Sequence, residues 1–581
     1  MRSRRSLPLL CLIAAAAYAA DVNPQSFLAD VKYLASPELK GRATGSPELE
    51  KAAQFIEARM RSAGLKPREL PFPVVIGAHL GPGNRMEVNG STLLLNRDFI
   101  PLSFSSSGRL DAPVVFAGYG ITDKDRHYDD YAGIDVTGKI VLILRHEPNE
   151  HGELSNHATF AEKAVNAKMH GAKGVILVND VFAHGDKDDL PKFSVAEGPT
   201  DAGVFFVQVK EALADQWLKA QGKSLEDAYR AINNDHQPHS FALEKLSVAI
   251  DADIRRDSKT VNNVAAYIPG STNEYVVIGA HYDHLGLGDE HSLAPSLIGH
   301  IHPGADDNAS GTAGVIELAR WFAKQPEQKR GILFLSFAGE ELGLLGSEWY
   351  VNHPMLPLEN AVTMINMDMI GRIREGKVYL GGSGTGSTFA HMLEEVKAPP
   401  SLHIEVSEKT GYGSSDHTSF TTKQVPVLFF FSGLHADYHK PSDTWDKIDA
   451  PDAATLLDYV ADVTTYLEKS DARPQFVRVA EAEEPTGGGG GSGYGPLFGS
   501  IPDFNEPPKG VRFADVRDGT PAAKAGLKAG DILIEFDGKD ISNLYDFTYA
   551  LRAHKAGDLV LVKVLRGNQT IEAKVLLTER R

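Results

Sequence analysis

The sequence predicts a layered α/β domain with a central, mostly parallel sheet, a β-rich insertion and a small C-terminal β-barrel-like domain. Three observations predict this architecture. Residues 250–470 alternate continuously apolar runs with helical patterns, and residues 95–240 are rich in strand-like segments. Five consecutive glycines, at positions 487–491, precede the last segment, residues 495–581.

The α/β domain is predicted from apolar runs that begin at Tyr275, Ile332, Ala361 and Val425. Such runs are typical of strands buried on both faces, which occur in parallel sheets covered by helices. Helical patterns separate them at 310–324, 346–351 and 387–396, and another at 451–469 ends the region. Residues 24–67 add two helical stretches, so we expect a discontinuous domain formed by residues 20–94 and 241–470.

The insertion, residues 95–240, contains strand-like runs at 112–121, 138–145 and 174–180 and a helical pattern at 160–170. The segment from Tyr131 to Leu142 resembles the protease-associated (PA) domain, a small β-rich module inserted in several peptidases. The resemblance implies that residues 95–240 shape substrate access.

A glycine-rich linker is predicted at 471–494, because a run of glycines cannot hold a regular element. Beyond it, strand patterns at 510–516, 531–536 and 559–565 and a helical pattern at 542–554 indicate a small folded domain. The stretch from Gly519 to Asp531 and the loop Leu497-Phe498-Gly499 resemble the PDZ family. That resemblance implies a loop whose backbone N–H groups bind the C-terminus of a peptide.

Charge and composition restrict the possible partners and the location. The net charge of −18 argues against nucleic acid and anionic membrane surfaces. A basic start, the apolar run Leu7–Ala17 and the site Ala17-Tyr18-Ala19 predict a signal peptide, residues 1–19, and a periplasmic or secreted protein. The run Leu7–Ala17 is too short to span a membrane, and the rest of the sequence contains no longer apolar run that could do so. Cys11 is the one cysteine of the chain, so a metal site must use His, Asp and Glu.

Side chains suited to metal binding follow several of the predicted strands. His281 and Asp283 follow the first run, Glu340 and Glu341 the second, Asp368 the third, and the segment 437–439 comes after the last. A further acidic pair, Asp306 and Asp307, precedes the helical pattern at 310. Because the carboxyl ends of parallel strands meet at one edge of a sheet, we expect these groups to lie close together.

Nitrogen and oxygen donors without sulfur suit Zn²⁺. A pair of metal ions needs a bridging carboxylate and two terminal ligands for each ion, and this chain offers that number. The remaining carboxylate, Glu340, would be free to take a proton from a water molecule.

Five blocks, at 277–286, 304–311, 337–347, 366–371 and 437–444, resemble those of the bacterial di-zinc aminopeptidase family. The resemblance implies two Zn²⁺ ions and peptide substrates. If the roles of that family are carried over, Asp306 would bridge the metals. His281 and Asp368 would complete one metal site, and Glu341 and His439 would complete the other. It further implies Glu340 as the general base and Tyr438 as a group that stabilises the oxyanion. Supporting roles are expected for Asp283, Asp307 and Asp416.

Some alternatives stay open from the sequence. His435 could replace His439 as the last ligand, and His284, His291, His300 and His302 are interpreted as solvated loop histidines. A carboxypeptidase or a glutaminyl cyclase could use the same scaffold. A non-catalytic protein that captures peptides with its PA and PDZ domains is a different class of function.

Overall fold

The fold was analysed in a computed structural model of the chain. It describes residues 22–479 and 495–579, except positions 125, 149–154, 181, 183–186, 194–200, 289–290, 327, 504–506 and 508 and the side chain of Asn156. The predicted signal peptide and most of the predicted glycine-rich linker lie outside these residues. Within them, no helix combines the length and the apolar character needed to cross a membrane.

The α-helices of the described chain are α1 (Pro24–Leu34), α2 (Pro47–Ser62), α3 (Phe160–Met169), α4 (Glu211–Lys219), α5 (Leu225–Asp235), α6 (Gly311–Phe322), α7 (Leu345–Asn352), α8 (Phe389–Glu395), α9 (His417–Thr422), α10 (Ala450–Lys469), α11 (Pro521–Lys524) and α12 (Leu544–Arg552). Short 3₁₀ turns occur at Pro37–Leu39, Asn156–Ala158, Pro295–Leu297, Leu358–Asn360 and Trp445–Lys447, and an irregular helical turn at Ala305–Ser310.

The strands are β1 (Arg68–Leu80), β2 (Arg85–Val88), β3 (Ser91–Leu93), β4 (Phe99–Pro101), β5 (Gly108–Phe116), β6 (Thr122–Asp123), β7 (Tyr128–Asp129), β8 (Ile140–Leu144), β9 (Gly174–Val178), β10 (Phe205–Val209), β11 (Phe241–Ala252), β12 (Ile254–Ile268), β13 (Tyr275–His281), β14 (Gly331–Phe337), β15 (Ala361–Asp368), β16 (Lys377–Gly381), β17 (His403–Val406), β18 (Val427–Phe431), β19 (Ser500–Pro502), β20 (Val511–Val516), β21 (Ile532–Phe536), β22 (Lys539–Asp540), β23 (Leu559–Arg566) and β24 (Gln569–Leu576).

The chain divides into two compact units, and the first holds residues up to 70, 262–341 and 346–477. Its sheet has the strand order β1-β12-β14-β13-β15-β18-β16-β17. Strands β14, β13, β15 and β18 pair with one another in parallel, while β12 and β16 pair antiparallel with the two ends of this group. Every residue of β13 and β14 is buried. The predicted layered α/β fold with a mostly parallel sheet is therefore confirmed, and its central strands are buried.

Helices of this unit begin and end where local chemistry predicts. In α2, Ser46 caps the N-terminus by accepting the N–H of Leu49 at 3.0 Å, and Pro47 occupies the first turn. Acidic residues lie in the first turn of α2 and Arg59 and Arg61 in the last, which complements the helix dipole. Helix α1 packs on α6 and α10, so the N-terminal segment belongs to the layer over the sheet.

The second unit holds residues 71–261, 342–345 and 478 onward. One of its sheets has the order β3-β2-β11-β5-β8-β9-β10-β4. Because β2 and β3 lie in this sheet and β11 pairs with β5 along most of its length, the boundaries predicted at 94 and 240 are wrong. Residues 85–93 and 241–252 are part of the inserted domain, since their backbone partners lie there rather than in the peptidase sheet.

The C-terminal region of the same unit forms a sheet of order β19-β20-β21-β23-β24, with β22 paired to β21. Its aromatic core includes Phe498, which packs on Phe547 with ring centroids 5.1 Å apart. Val165 and Met169 of α3 join this core. Across the same contact, the Lys168 ammonium lies 2.6 Å from the buried Asp546 carboxylate. The C-terminal domain is thus packed on the inserted domain through α3 and α12.

Candidate metal centre

The carboxyl ends of the parallel strands bring the predicted ligands to one edge of the first sheet. His281 is the last residue of β13, and Asp368 is the last residue of β15. Glu340 and Glu341 follow β14 after two residues. In the sheet, His281 pairs with Phe337, the last residue of β14. The predicted ligands at the ends of these strands therefore lie at the same edge of the sheet.

Asp307 lies at the centre of this group. One of its carboxylate oxygens, Oδ1, is 3.5 Å from Nε2 of His281, and the other, Oδ2, is 3.2 Å from Nε2 of His439. The same nitrogen of His281 is 3.4 Å from Asp368 Oδ1, and that of His439 is 3.2 Å from Glu341 Oε2. Asp307 therefore stands between two sets of donors, each made of one histidine and one further carboxylate.

These donors fit divalent cations. Ligand atoms of His281, Glu340 and Asp368 lie within 4.8 Å of one another, and so do those of His281, Asp307 and Glu341. Oδ1 of Asp368 is buried and makes no hydrogen bond to the described residues. Imidazole nitrogens and carboxylate oxygens at this spacing are the ligands that Zn²⁺ accepts in proteins.

Comparisons with known proteins agree with this geometry. Residues 263–464 match the family model of peptidase family M28, residues 110–215 match the PA domain, and residues 482–577 match the PDZ domain. The chain carries a peptidase family M28 domain. The predicted family resemblance is thereby confirmed, together with those to the PA and PDZ domains.

Characterised relatives of the chain are aminopeptidases. Aminopeptidase YwaD of Bacillus subtilis is 26% identical over 451 residues, which are 75% of this chain and 83% of that protein. An aminopeptidase of Pseudomonas aeruginosa is 28% identical over 358 residues, and the match covers 59% of this chain but only 56% of that protein. Among solved structures, a zinc aminopeptidase from Bacillus subtilis matches 79% of this chain and 98% of its own, with 23% identity and a TM-score of 0.47.

The structure does not place Asp306, the predicted bridging ligand, among the other predicted ligands. Asp306, the predicted bridge, points away from His281 and His439. Its Oδ1 accepts the N–H of Gly371 at 2.7 Å, and its Oδ2 lies 3.3 Å from Nε2 of His435. The backbone of Asp307 has non-helical angles, with φ −103° and ψ 94°. Asp307, expected only to support the site, occupies the central position. His435 lies beside Asp306, and His439 is the histidine that lies beside Asp307 and Glu341.

Asp443 holds this turn. Its buried carboxylate accepts the N–H of Asp306 at 3.0 Å and the N–H of Asp307 at 3.1 Å. Asp443 lies in the block at 437–444 that resembles the aminopeptidase family, but the sequence alone assigned it no role. Its position four residues after His439, the predicted last ligand, is the signal that could have identified it.

Two loop histidines are buried, contrary to the prediction that they are solvated. Nδ1 of His284 lies 2.6 Å from Glu341 Oε1, and its side chain is fully buried. His302 contacts the hydroxyl of Ser292 at 2.7 Å and is buried as well. His291 and His300 are exposed, as predicted. Burial of His284 follows from backbone pairing of its loop with the segment around Arg42, which local sequence does not encode.

Groups around the ligands fix their orientation. Asp283 accepts the N–H of Glu340 at 3.2 Å and lies 3.8 Å from Nδ1 of His281. Nδ1 of His439 lies 2.9 Å from the carbonyl oxygen of His291, which leaves Nε2 toward Asp307. In a metal-binding histidine, the contact of the ring nitrogen that does not bind the metal sets the tautomer and the orientation of the ring. Asp283 thus lies where the prediction of a supporting role requires.

Ser415, directly before the predicted supporting residue Asp416, contacts the predicted ligand Asp368. Its hydroxyl donates to Asp368 Oδ2 at 2.8 Å and accepts from the amide of Asn366 at 2.8 Å. Asp416, the predicted supporting residue, is fully buried in the wall behind the site, where burial raises its pKa to about 7. The sequence analysis missed Ser415, which stands directly before Asp416.

Glu340 and Glu341 are neighbours in sequence, but their surroundings move their pKa values apart. Burial and the nearby Glu341 charge raise the pKa of Glu340 well above its ordinary value. Burial would also raise the pKa of Glu341, but the closely bound His284 and His439 lower it far below its ordinary value. Two carboxylates whose pKa values diverge in this way suit different tasks, one as a proton acceptor and donor and the other as a charged ligand.

Tyr438 is placed beside the donors. Its ring stacks on that of His439, with centroids 3.9 Å apart. Burial, together with the charges of Asp307 and Glu341, raises its pKa above the ordinary value. The phenol therefore keeps its proton at neutral pH and can act as a hydrogen-bond donor.

The predicted carboxylate-binding loop of the PDZ domain is only partly available. The N–H of Leu497 donates to the carbonyl oxygen of Thr578 at 2.8 Å, so Leu497 is a sheet residue and cannot donate to a peptide. The Phe498 side chain lies in the core. Gly499 has a φ of 99° and belongs to the turn before β19. Binding of a peptide C-terminus at this loop stays a prediction.

His417 makes the stability of the M28 domain sensitive to acid. Its ring is fully buried against Phe429, neither ring nitrogen bonds to a described residue, and burial lowers its pKa to about 3. The unfolded state binds a proton near pH 6.5. The neutral ring therefore contributes fully to the stability of the folded state above about pH 6.5. As the pH falls from there toward 3, the free energy of unfolding decreases by about 1.4 kcal/mol per pH unit.

We expect His417→Leu to flatten this dependence. Between pH 6.5 and pH 5 the wild-type chain should lose about 2 kcal/mol more of its unfolding free energy than the variant. Urea titrations at the two pH values measure the difference, and His403→Leu, at an exposed position, is the matched control. Equal losses in wild type and His417→Leu would contradict the prediction.

Proposed function

We propose that the chain is an exported aminopeptidase that uses two Zn²⁺ ions to hydrolyse N-terminal residues from peptides. Asp307 would bridge the ions, His281 and Asp368 would complete one site, and Glu341 and His439 the other. The single observation that carries the proposal is the position of Asp307, with one oxygen toward each histidine. Aminopeptidases as relatives support the reaction class.

The bound ions would supply Lewis acidity and a water molecule that loses its proton near neutral pH. Glu340 is the group that would accept this proton and deliver it to the departing amine, because its mostly buried carboxylate lies beside the predicted ligands, 3.9 Å from Nε2 of His281. Tyr438, a protonated phenol at the same edge, would donate to the oxygen that becomes negative. Asp283 would keep His281 and the backbone of Glu340 in place for this chemistry.

Recognition of a free α-amine would make the enzyme an exopeptidase of N-terminal polarity. The site is rich in carboxylates, since Asp307, Glu340, Glu341 and Asp368 all face it. Two bound Zn²⁺ ions would offset these charges, so the carboxylates alone do not decide which end of a peptide binds. The N-terminal polarity is proposed because the relatives are aminopeptidases.

Peptides with one blocked end test the proposal. We expect the purified chain to cleave leucine or alanine anilides and C-amidated peptides, to lose this activity with a chelator and to regain it with zinc. An acetyl group on the amine should abolish cleavage. Cleavage of N-acetylated but not of C-amidated peptides would identify a carboxypeptidase, and cyclisation of an N-terminal glutamine a glutaminyl cyclase. A chain that binds no zinc and cleaves nothing would contradict every enzymatic proposal, and binding of an uncleaved peptide by that chain would identify a peptide-binding protein.

A further inference from the structure

The segment between the 3₁₀ turn at Pro37–Leu39 and α2 lies against the loops that carry the predicted ligands. The N–H of His284 donates to the carbonyl oxygen of Arg42 at 3.2 Å, and the N–H of Gly286 to that of Gly41 at 3.0 Å. Gly41 has a φ of 75°, and a Cβ atom there would lie 2.3 Å from the carbonyl oxygen of His302. Only glycine allows so close an approach, so the segment is built to sit against these loops.

Arg42 connects this segment to the site through its side chain, which is fully buried. The guanidinium donates to the carbonyl oxygens of Tyr282 at 2.8 Å, Pro303 at 2.7 Å and Gly304 at 3.0 Å, and also to that of Leu34. Tyr282 directly follows His281, and Gly304 precedes Asp307 by three residues. A single planar group thus ties together the two loops that present these ligands and the end of α1.

Thr44 adds a second tie from the same segment. Its hydroxyl donates to Asp283 Oδ2 at 2.7 Å, while Oδ1 of Asp283 accepts the N–H of Glu340. The same carboxylate lies beside His281 Nδ1. The N-terminal segment therefore reaches the ligands through two independent side chains, although more than 200 residues separate it from them in the sequence.

A role of the Arg42 charge can be separated from a role of its hydrogen bonds. Burial lowers its pKa to about 10, so the guanidinium stays protonated at neutral pH. A fixed positive charge near a metal centre opposes the binding of another cation. If Arg42 acted by charge alone, its removal would tighten zinc binding; if it acts by holding the loops, its removal would weaken zinc binding. The two explanations predict opposite signs.

We propose that Arg42 is a positioning residue that holds the loops of His281 and Asp307 at the distance required for two zinc ions. The inference rests on the proposed metal site but not on the proposed peptidase activity. Side chains that orient metal ligands typically contribute a factor of about 10 to 100 in metal affinity. A planar group with five N–H donors can serve several carbonyl oxygens at once, which an ammonium group cannot do with the same geometry.

The test is the zinc affinity of the full chain after metal removal, measured by competition with a chromophoric chelator. We expect Arg42→Met to weaken zinc binding by about 10- to 100-fold and Arg42→Lys to weaken it less. Unchanged or tighter binding in Arg42→Met would overturn the proposal. Thr44→Val, which leaves Arg42 intact, should give a smaller loss and keeps the idea testable if Arg42→Met does not fold.

Arg330→Met is the matched control. Arg330 is another almost fully buried arginine of the same domain, and it bonds to Glu274 and to the carbonyl oxygen of Ser470. It precedes β14, whose seven residues separate it from the ligand edge by roughly 20 Å. Arg330→Met should lower the unfolding temperature without changing zinc affinity. Equal zinc loss in both variants would mean that Arg42 supports the fold alone.

Peptidase assays on the same samples separate the two proposals. A wild-type chain that binds zinc but cleaves no peptide would contradict the proposed function, while the comparison of zinc affinities would still decide the role of Arg42. A wild-type chain that cleaves peptides, together with an Arg42→Met variant of normal zinc affinity, would contradict only the positioning role.

Discussion

Replacement of Glu340 by Gln is expected to lower kcat by about two to four orders of magnitude while the chain keeps its zinc. Glutamine preserves the size of the side chain but removes the group that would accept and return the proton. The expectation follows from the position of the mostly buried Glu340 carboxylate, which lies 3.9 Å from Nε2 of His281. Steady-state kinetics on a leucine anilide and metal analysis of the purified variant measure the two quantities.

The two measurements together distinguish a base from a ligand. Glu340 belongs to a set of donors with His281 and Asp368 that could hold an ion by itself. A Glu340→Gln variant that loses zinc along with activity would therefore show that Glu340 is a ligand. Wild-type turnover in the variant would exclude both roles. Glu359→Gln, at an exposed position in the same domain, should change neither zinc content nor kcat.

Much of the site could be predicted because its residues stand at the ends of continuously apolar runs. The runs that end near His281, Glu340 and Asp368 are long enough to identify strands, and parallel strands end at one edge of a sheet. Topology alone then brings these side chains together, without any knowledge of rotamers. The same reasoning gave the fold class, which the structure confirms.

What the sequence could not provide depends on contacts between distant segments or on single backbone dihedral angles. The direction of Asp306 and Asp307 is set within a non-helical turn that Asp443 holds, and no pattern of residue types encodes it. His284 is buried because the segment at Arg42 covers its loop. Likewise, β11 has an alternating pattern that suits either neighbouring domain, and only its pairing with β5 decides between them.

The exchange of roles between Asp306 and Asp307 leads to the second large effect. Asp307→Asn should abolish binding of both zinc ions and reduce activity by at least about a thousandfold, because it removes the charge from the carboxylate whose two oxygens each lie beside one of the histidines. Asp306→Asn is the matched comparison one position away. Asparagine keeps an oxygen that can accept the N–H of Gly371, so zinc content should stay close to that of the wild type.

Metal analysis of the two variants after equilibration with limiting zinc decides between the neighbours. The pair of variants is informative because both remove one negative charge from adjacent buried positions, so the general loss of charge and of stability is similar in the two. A difference in zinc content must then come from the direction in which each side chain points. If Asp306→Asn lost zinc and Asp307→Asn kept it, the bridge would be Asp306, and the turn at 305–310 would have to adopt another conformation when the ions bind.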